Sequence, residues 1–361
     1  MANFADVPEQ PEAKRLLDAA LADGPAHAYL FHGPVGVGKR LAARALAGAL
    51  LGDPRRVDAR THPDLRVIEA LGEMIRIDEI RALHHDLHMR PFEADRRVYL
   101  VFDAHRMNDE AAASLLKDLE EPPAYATLVL VADELGPLPE TIRSRCQLVP
   151  FRRLSRQAVE AWIAAHAPEL PPGEVGLLAR VSGGRLDRAA RLLDPDARAR
   201  RANLLDAARA AYRDDTSDPA AAAAVIQESS AAFGTAARTS EQELVDRLDL
   251  PAREADQRVR RAEFGAERAE LLASLDDLAA WYRDLVVVAA GAETAVTHAD
   301  RLDDLRSDVA DGAGEGAEQA AEAVRQAWRE VEEFNLNAAL LLEALFVRLR
   351  RAFSRGVPAA R

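Results

Sequence analysis

The sequence predicts an α/β fold: a doubly wound parallel sheet entered through a phosphate-binding loop, then a small helical lid and an all-α C-terminal region. Three observations predict it. The apolar run Ala28–His32 meets a glycine-rich turn and then an alanine-rich helical pattern, the order strand, loop, helix. Further apolar runs alternate with helical patterns as far as Phe151, which favours parallel strands joined by crossover helices. From Ser155 onward strand signals stop and helical periodicity continues to the C-terminus.

Taken in order, a helix around Lys14–Ala22 ends at Gly24-Pro25, and a strand over 28–32 enters the loop. A helix over Leu41–Leu51 has little polar surface, as a helix lying on a sheet should. Asp64–Ile68 is a second strand. After a turn at Gly72, Asp78 caps a helix running to about His88, and Pro91 stops it. Arg96–Asp103 is nearly continuous in apolar residues and therefore reads as a strand buried on both faces. Asn108 caps a helix to Glu121, Thr127–Ala132 is another buried strand, Pro139–Arg145 a short helix, and Gln147–Phe151 the last strand. Ser155 caps the first of three lid helices, and Gly183-Gly184 separates the second from the third, which runs to about Leu193. The helical remainder is expected to break at Asp214–Pro219, near Gly234, at Gly291 and over Gly312–Gly316. Long apolar stripes at Glu267–Val288 and Gln326–Phe353 need partners to cover them. The expected domains are 1–154, 155–205 and 206–361.

Composition narrows the function. With 48% hydrophobic and 30% charged residues, the 361-residue chain is globular. Its net charge of −13 argues against a nucleic-acid binder that works through overall charge. A lone cysteine, Cys146, excludes a disulfide framework and a cysteine zinc site and fits a reducing cytoplasm. The first residues lack the apolar core of a signal peptide, and no run reaches the roughly 18 to 20 apolar residues of a spanning helix. A cytoplasmic location is expected, without membrane contact.

The chemistry centres on the loop. Gly33, Gly36, Gly38 and Lys39 fit G-x-x-x-x-G-K, where backbone N–H groups close around phosphate oxygens and the lysine reaches the outer phosphates. The next position is Arg40, where a hydrolysing site needs the hydroxyl of Ser or Thr for Mg²⁺. Asp103, ending its strand, stands where a P-loop enzyme puts its Mg²⁺-directing aspartate; the alternative is a buried cap. Ala104 follows it, so the water-orienting glutamate of the AAA+ class is missing. Arg145, in Ser144-Arg145-Cys146, is either a functional arginine or a surface charge closing a helix. His84 and His88 are one turn apart and could share a metal, but the sequence specifies no acidic third ligand, so they read as a solvated helix face. Arg198–Arg201 reads as a solvated surface rather than a DNA patch. No metal site is expected.

These residues together resemble a family, the delta-prime subunits of the bacterial DNA polymerase III clamp loader, in the AAA+ superfamily. The signatures are His27–Phe31, His62-Pro-Asp64, Ile77–Arg81, Asn108 with Leu115–Pro123, and Thr141–Cys146; Trp281–Leu285 and Asn335–Leu340 are similar to its collar domain. The resemblance implies a heteropentameric ring of this subunit with gamma/tau-type and delta-type subunits, joined by C-terminal helices, that loads the sliding clamp onto primed DNA. It implies that Arg145 reaches the ATP of the neighbouring motor subunit as an arginine finger. The family's four-cysteine zinc module is missing from Leu51–Pro63, so zinc is not implied. Ala132-Asp133 lacks the usual sensor Thr or Asn, and Asp187 falls where motor subunits carry a phosphate-sensing arginine, flanked by Arg185 and Arg188.

The reading is an ATPase-silent scaffold that completes its neighbour's site and requires no cofactor, with ATP or ADP held weakly if at all. Two alternatives are a gamma/tau-type motor, which should carry Ser or Thr at Arg40 and Glu at Ala104, and an unrelated P-loop nucleotide kinase, which would need neither the Thr141–Cys146 signature nor a collar.

Overall fold

The computed structural model describes residues 4–69, 74–214, 216–246, 251–333 and 337–354. They pack as two compact units, Met1–Leu170 with Gly184–Ala189, and Pro171–Gly183 with Ala190–Arg361. The segment 155–205, expected as a lid, contributes residues to both.

The first unit is built on five parallel strands, β1 (Ala28–His32), β2 (Leu65–Ile68), β3 (Arg97–Val101), β4 (Ala126–Ala132) and β5 (Gln147–Pro150), in the order β2-β3-β4-β1-β5. Alternation along each strand separates two cores. Tyr29, Phe31, Val98, Leu100, Val129 and Val131 share one core with α1 (Pro11–Asp23) and α2 (Lys39–Leu51), which is followed by the short α3 (Pro54–Asp58). Leu30, Tyr99, Val101, Leu128 and Leu130 share the other with α4 (Ile77–Leu87) and α5 (Asp109–Glu120). Covering both faces is why β3 and β4 read as unbroken apolar runs. The short α6 (Glu140–Arg143) precedes β5, and α7 (Arg156–His166) follows it. This is a doubly wound parallel α/β architecture, and it places the loop after β1 between the carboxyl ends of β4 and β5.

Local chemistry sets most boundaries. Asn108 Oδ1 accepts from Ala111 N at 2.9 Å and opens α5, and Ser155 Oγ accepts from Ala158 N at 3.1 Å and opens α7. The expected cap at Asp78 is corrected. Asp78 lies within the first turn of α4, and Arg76 is the cap residue, its N–H donating to Glu79 Oε2 at 3.0 Å. The strand expected over 96–103 ends at Val101, since Asp103 turns the backbone to φ 55°. The helix expected over 139–145 is only α6. The turn expected at Gly72 and the Asn335-Leu336 part of the C-terminal signature lie outside the described residues.

The second unit is helical. It holds α8 (Pro172–Ser182), the end of α9 (Leu186–Leu193), α10 (Pro195–Arg213), α11 (Pro219–Val245), α12 (Ala252–Ala289), α13 (Leu302–Ala310), α14 (Gly314–Glu333) and α15 (Ala338–Phe353). Trp281, Tyr282 and Leu285 of α12 are fully buried among Leu205, Val324 and Phe346, so the stripe around Trp281 is covered within the chain. One expected break is corrected and another is shorter than expected. Helix α11 runs through Gly234, where a Cβ would meet Glu267 Cγ at 2.4 Å; the glycine admits a neighbouring helix instead of ending its own. The break expected over Gly312–Gly316 falls at 311–313, where Gly312 has φ 96°; Gly314 and Gly316 already belong to α14, and a Cβ at Gly316 would meet the Ala352 carbonyl oxygen at 2.4 Å.

The arginine run is also corrected. Arg201 is 9% exposed and pairs with Asp300 at 2.6 Å, while Arg198 pairs with Glu174 and Arg200 with Asp194. These charges serve internal ion pairs rather than a solvated face. No described helix is long and apolar enough to cross a membrane.

Candidate functional site

The loop between β1 and α2 keeps the backbone of a phosphate cradle. Gly33, Gly36 and Gly38 have φ of 135°, 74° and 95°, a region that side chains strain to enter. A Cβ at Gly33 would lie 2.1 Å from the Phe151 carbonyl oxygen, and one at Gly36 would lie 1.9 Å from Asp187 Oδ1. Gly33 is therefore required by space, against fixed backbone, as well as by torsion, whereas Gly36 is required by torsion and a side chain there would have to push the Asp187 carboxylate aside.

The charged side chains around this cradle are held in ion pairs with one another. Lys39 is 4% exposed; its Nζ donates to the carbonyls of Gly33 and Pro34, each at 2.5 Å, and pairs with Asp133 at 2.8 Å. Burial holds its pKa below the ordinary lysine value, with Asp133 acting in the opposite direction. Asp133 follows β4, so the position expected to hold a sensor hydroxyl or amide holds an acid that fixes the lysine.

Arg40 points to the acid after β3. Its Nη2 donates to Asp103 Oδ2 at 2.6 Å, its Nη1 lies 3.7 Å from Glu69, and its guanidinium carbon stands 4.9 Å from the centre of the Phe102 ring. Asp103 thus meets a permanent cation where a hydrolysing site needs a hydroxyl and Mg²⁺. Ala104 is fully buried at the start of a short turn, Ala104–Arg106, and offers no base. His105 accepts from Asp133 N through Nδ1 at 3.3 Å, and burial depresses its pKa against the pull of Asp133 and Asp103.

The segment 184–189 closes the loop from the other side. Leu186 N donates to Gly36 O at 2.7 Å, which brings the Asp187 carboxylate onto Gly36, where Arg185 pairs with it at 2.7 Å. An acid at the cradle repels phosphate, the reverse of what a sensor arginine would do. The donor set does not fit a Mg²⁺-nucleotide poised for hydrolysis: the glycine backbone suits phosphate, but the charges around it do not.

Arg145 lies apart from these residues, just past the end of α6. It is partly exposed; Nη1 donates to the Thr141 carbonyl at 2.9 Å and Nη2 to Glu120 Oε1 at 2.6 Å. The structure thus brings Gly33, Gly36, Gly38, Lys39 and Asp103 together and leaves Arg145 at the surface. Sequence reasoning named Asp133 and Asp103 but missed that they pair with Lys39 and Arg40. Their signal was present as acids one or two residues past the ends of β4 and β3, since neighbouring parallel strands deliver their next residues to one edge.

Residues 9–155 match the family model described as DNA polymerase III, delta subunit. A delta-prime subunit from Bacillus subtilis is 35% identical over 164 residues, 42% of this chain and 50% of that protein. The tau subunit of the same organism is 31% identical over 209 residues, 53% of this chain and 37% of that protein. The chain therefore spans half or less of the length of these curated relatives. A solved gamma subunit-related protein from Thermotoga maritima aligns with 95% of this chain and 99% of its own, at 19% identity and a TM-score of 0.43. Over residues 9–155, the chain is therefore similar to subunits of the DNA polymerase III clamp loader, of the delta-prime and tau kinds alike.

Proposed function

We propose that this chain is the delta-prime-type subunit of a clamp loader, silent as an ATPase and acting on the nucleotide of its neighbour. The observation that carries the reading is the Arg40–Asp103 pair at 2.6 Å, which sets a cation on the acid a motor needs for Mg²⁺. Arg40 lacks the hydroxyl, Ala104 the base, Asp133 the sensor donor and Asp187 the phosphate-sensing charge. Each missing group that stabilises charge commonly costs several kcal/mol of barrier, so the losses together leave negligible turnover.

In this reading the loop requires no nucleotide, and any ATP or ADP is held weakly by Gly33, Gly36, Gly38 and Lys39. The second unit joins gamma/tau-type and delta-type subunits in a five-membered ring that places the sliding clamp on primed DNA. Arg145 acts in trans. Its guanidinium is a permanent planar cation at the surface, and an exposed Glu120 is a weak competitor for a γ-phosphate that gains charge in the transition state.

The motor reading draws on the tau relative, whose match covers more of this chain than the delta-prime match does. One experiment decides between them. The purified chain is assayed for ATPase alone, then mixed with motor and delta-type subunits, and the complex is isolated for stoichiometry and DNA-stimulated hydrolysis. The silent reading expects no turnover alone and one copy per ring. Metal-dependent turnover of ~1 per second by the isolated chain establishes the motor reading instead.

A further inference from the structure

On the sheet face opposite α2, helices α4 and α5 bring together three side chains that the loop chemistry does not use. His84 and His88 stand one turn apart at the end of α4, His88 being its cap residue with helical torsions. Their rings meet edge to face with centroids 4.9 Å apart. Asp118, on α5, supplies the acid that sequence spacing alone could not specify. Its Oδ1 lies 2.5 Å from His84 Nδ1, and one ligand atom from each of the three residues lies within 4.8 Å of the others. They are the only such group among the described residues.

The carboxylate is the unusual member. The Asp118 side chain is 1% exposed, yet its Oδ2 is buried without a hydrogen-bond partner. A buried carboxylate oxygen left unpaired is costly, and a histidine proton satisfies only the other oxygen. A metal ion at this point would answer the carboxylate and both imidazoles together. The scaffold is already rigid, because Leu83 and Leu87 beside the histidines and Leu115 and Leu119 beside Asp118 share one buried core.

We propose that His84, His88 and Asp118 form a zinc site that staples α4 to α5. Two imidazoles and one carboxylate are a borderline nitrogen and oxygen set that suits Zn²⁺ and its transition-metal neighbours, whereas Ca²⁺ and Mg²⁺ favour oxygen alone. Ligand atoms bound at about 2.0–2.2 Å in tetrahedral geometry stand roughly 3.3 Å apart. Zinc therefore takes the place of the proton between His84 Nδ1 and Asp118 Oδ1, which passes to solvent or to His84 Nε2, opens that 2.5 Å contact, and draws in the exposed His88 ring. His84 is 48% exposed, so the fourth position opens to solvent and takes water. The site is separate from the four-cysteine module missing at Leu51–Pro63 and does not depend on the proposed ATPase silence.

The test uses the full chain, stripped with a chelator and dialysed. Calorimetry with Zn²⁺ is expected to give one ion per chain, and Co²⁺ is expected to give the intense visible absorption of a tetrahedral site. Zn²⁺ should raise the melting temperature by several degrees. His84→Gln, His88→Gln and Asp118→Asn should each weaken binding at least about tenfold and remove the thermal shift. Both histidines are exposed, so the first two variants keep the fold even if the buried Asp118→Asn does not. His85→Gln, a neighbouring histidine outside the cluster, should bind as wild type. Absence of binding at micromolar Zn²⁺, or unchanged binding by the His84→Gln/His88→Gln double variant, overturns the proposal.

Discussion

Arg40 and Asp103, sixty-three positions apart in the chain, meet at 2.6 Å, so the acid proposed as a degenerate metal-directing group is paired with the arginine that stands at the hydroxyl position of the loop motif. The loop's missing parts are therefore coupled. Restoring two of them should not restore hydrolysis. Arg40→Ser with Ala104→Glu is expected to remain without measurable Mg²⁺-dependent ATPase, because Asp133 still ties Lys39 and Asp187 still lies on Gly36. Arg40 is 46% exposed, so its loss should change stability by no more than about 1 kcal/mol. Steady-state hydrolysis and a melting curve on the same preparation check both halves. Turnover near motor rates in the double variant would show that the two remaining acids are harmless.

How far the sequence carried this reading depends on the range of each interaction. The strands, the glycine loop and the caps at Asn108 and Ser155 were legible because their chemistry spans a few residues. Gly234 was misread because a glycine that ends a helix and one that admits a neighbour look alike until Glu267 is in place. The same holds for Asp118, thirty-four positions from His84, and for Arg201, whose partner Asp300 lies ninety-nine positions away. Side-chain partners at that distance are set by the fold, and no local pattern encodes them.

Arg145 allows a direct test of the proposed trans role. Arg145→Ala should join the reconstituted ring normally, since its side chain reaches only Glu120 and local groups of its own helix end. Hydrolysis by the whole complex should nevertheless fall. An arginine finger contributes about 10³–10⁵ in rate where it acts, but only one of the ring's sites loses it here. Arg145→Lys should rescue poorly, because an ammonium cannot reproduce the planar fork. Wild-type hydrolysis and clamp loading by the alanine variant would leave Arg145 as a helix-end charge. Glu120→Ala separates the two roles further, since it frees the guanidinium without removing it and should leave hydrolysis intact.

Two helical glycines should respond oppositely to the same substitution. At Gly265, within α12, an added Cβ meets nothing within 4 Å, so Gly265→Ala should stabilise by up to about 1 kcal/mol through helix propensity. At Gly316 the Cβ would lie 2.4 Å from the Ala352 backbone oxygen, which cannot swing aside as a side chain would. There overpacking outweighs propensity, and Gly316→Ala should destabilise by about 1–3 kcal/mol. Urea denaturation of the two variants reads the sign directly, and equal shifts for both would contradict the packing argument.

The last prediction concerns acid stability of the helical unit. His298 is fully buried and donates through Nδ1 to Asp284 Oδ2 at 2.8 Å, leaving Nε2 buried without a partner. Burial depresses the His298 pKa, although the Asp284 carboxylate pulls the other way. For Asp284, burial opposes the charge, but the hydrogen bonds from His298, with the bond from Arg283, outweigh it and hold the carboxyl low. The pair is therefore neutral imidazole with charged carboxylate. The unfolded histidine takes up a proton near its ordinary value of about 6.5, while the folded one resists, so the unfolded state binds more protons below that pH. Stability contributed by His298 must then fall as pH falls below about 6.5, with a ceiling of about 1.4 kcal/mol per pH unit for one proton. Asp284 adds its own loss only at lower pH, as pH falls through its depressed folded value. His298→Asn keeps a donor toward Asp284 but cannot titrate. Its denaturation midpoint, followed by tryptophan fluorescence, should be flatter than wild type between pH 7 and 5. The Trp281 ring, 5.5 Å from the His298 ring, places a reporter beside the pair. Identical slopes in the two proteins would mean that His298 is charged when folded, and the pair would then be imidazolium with carboxylate.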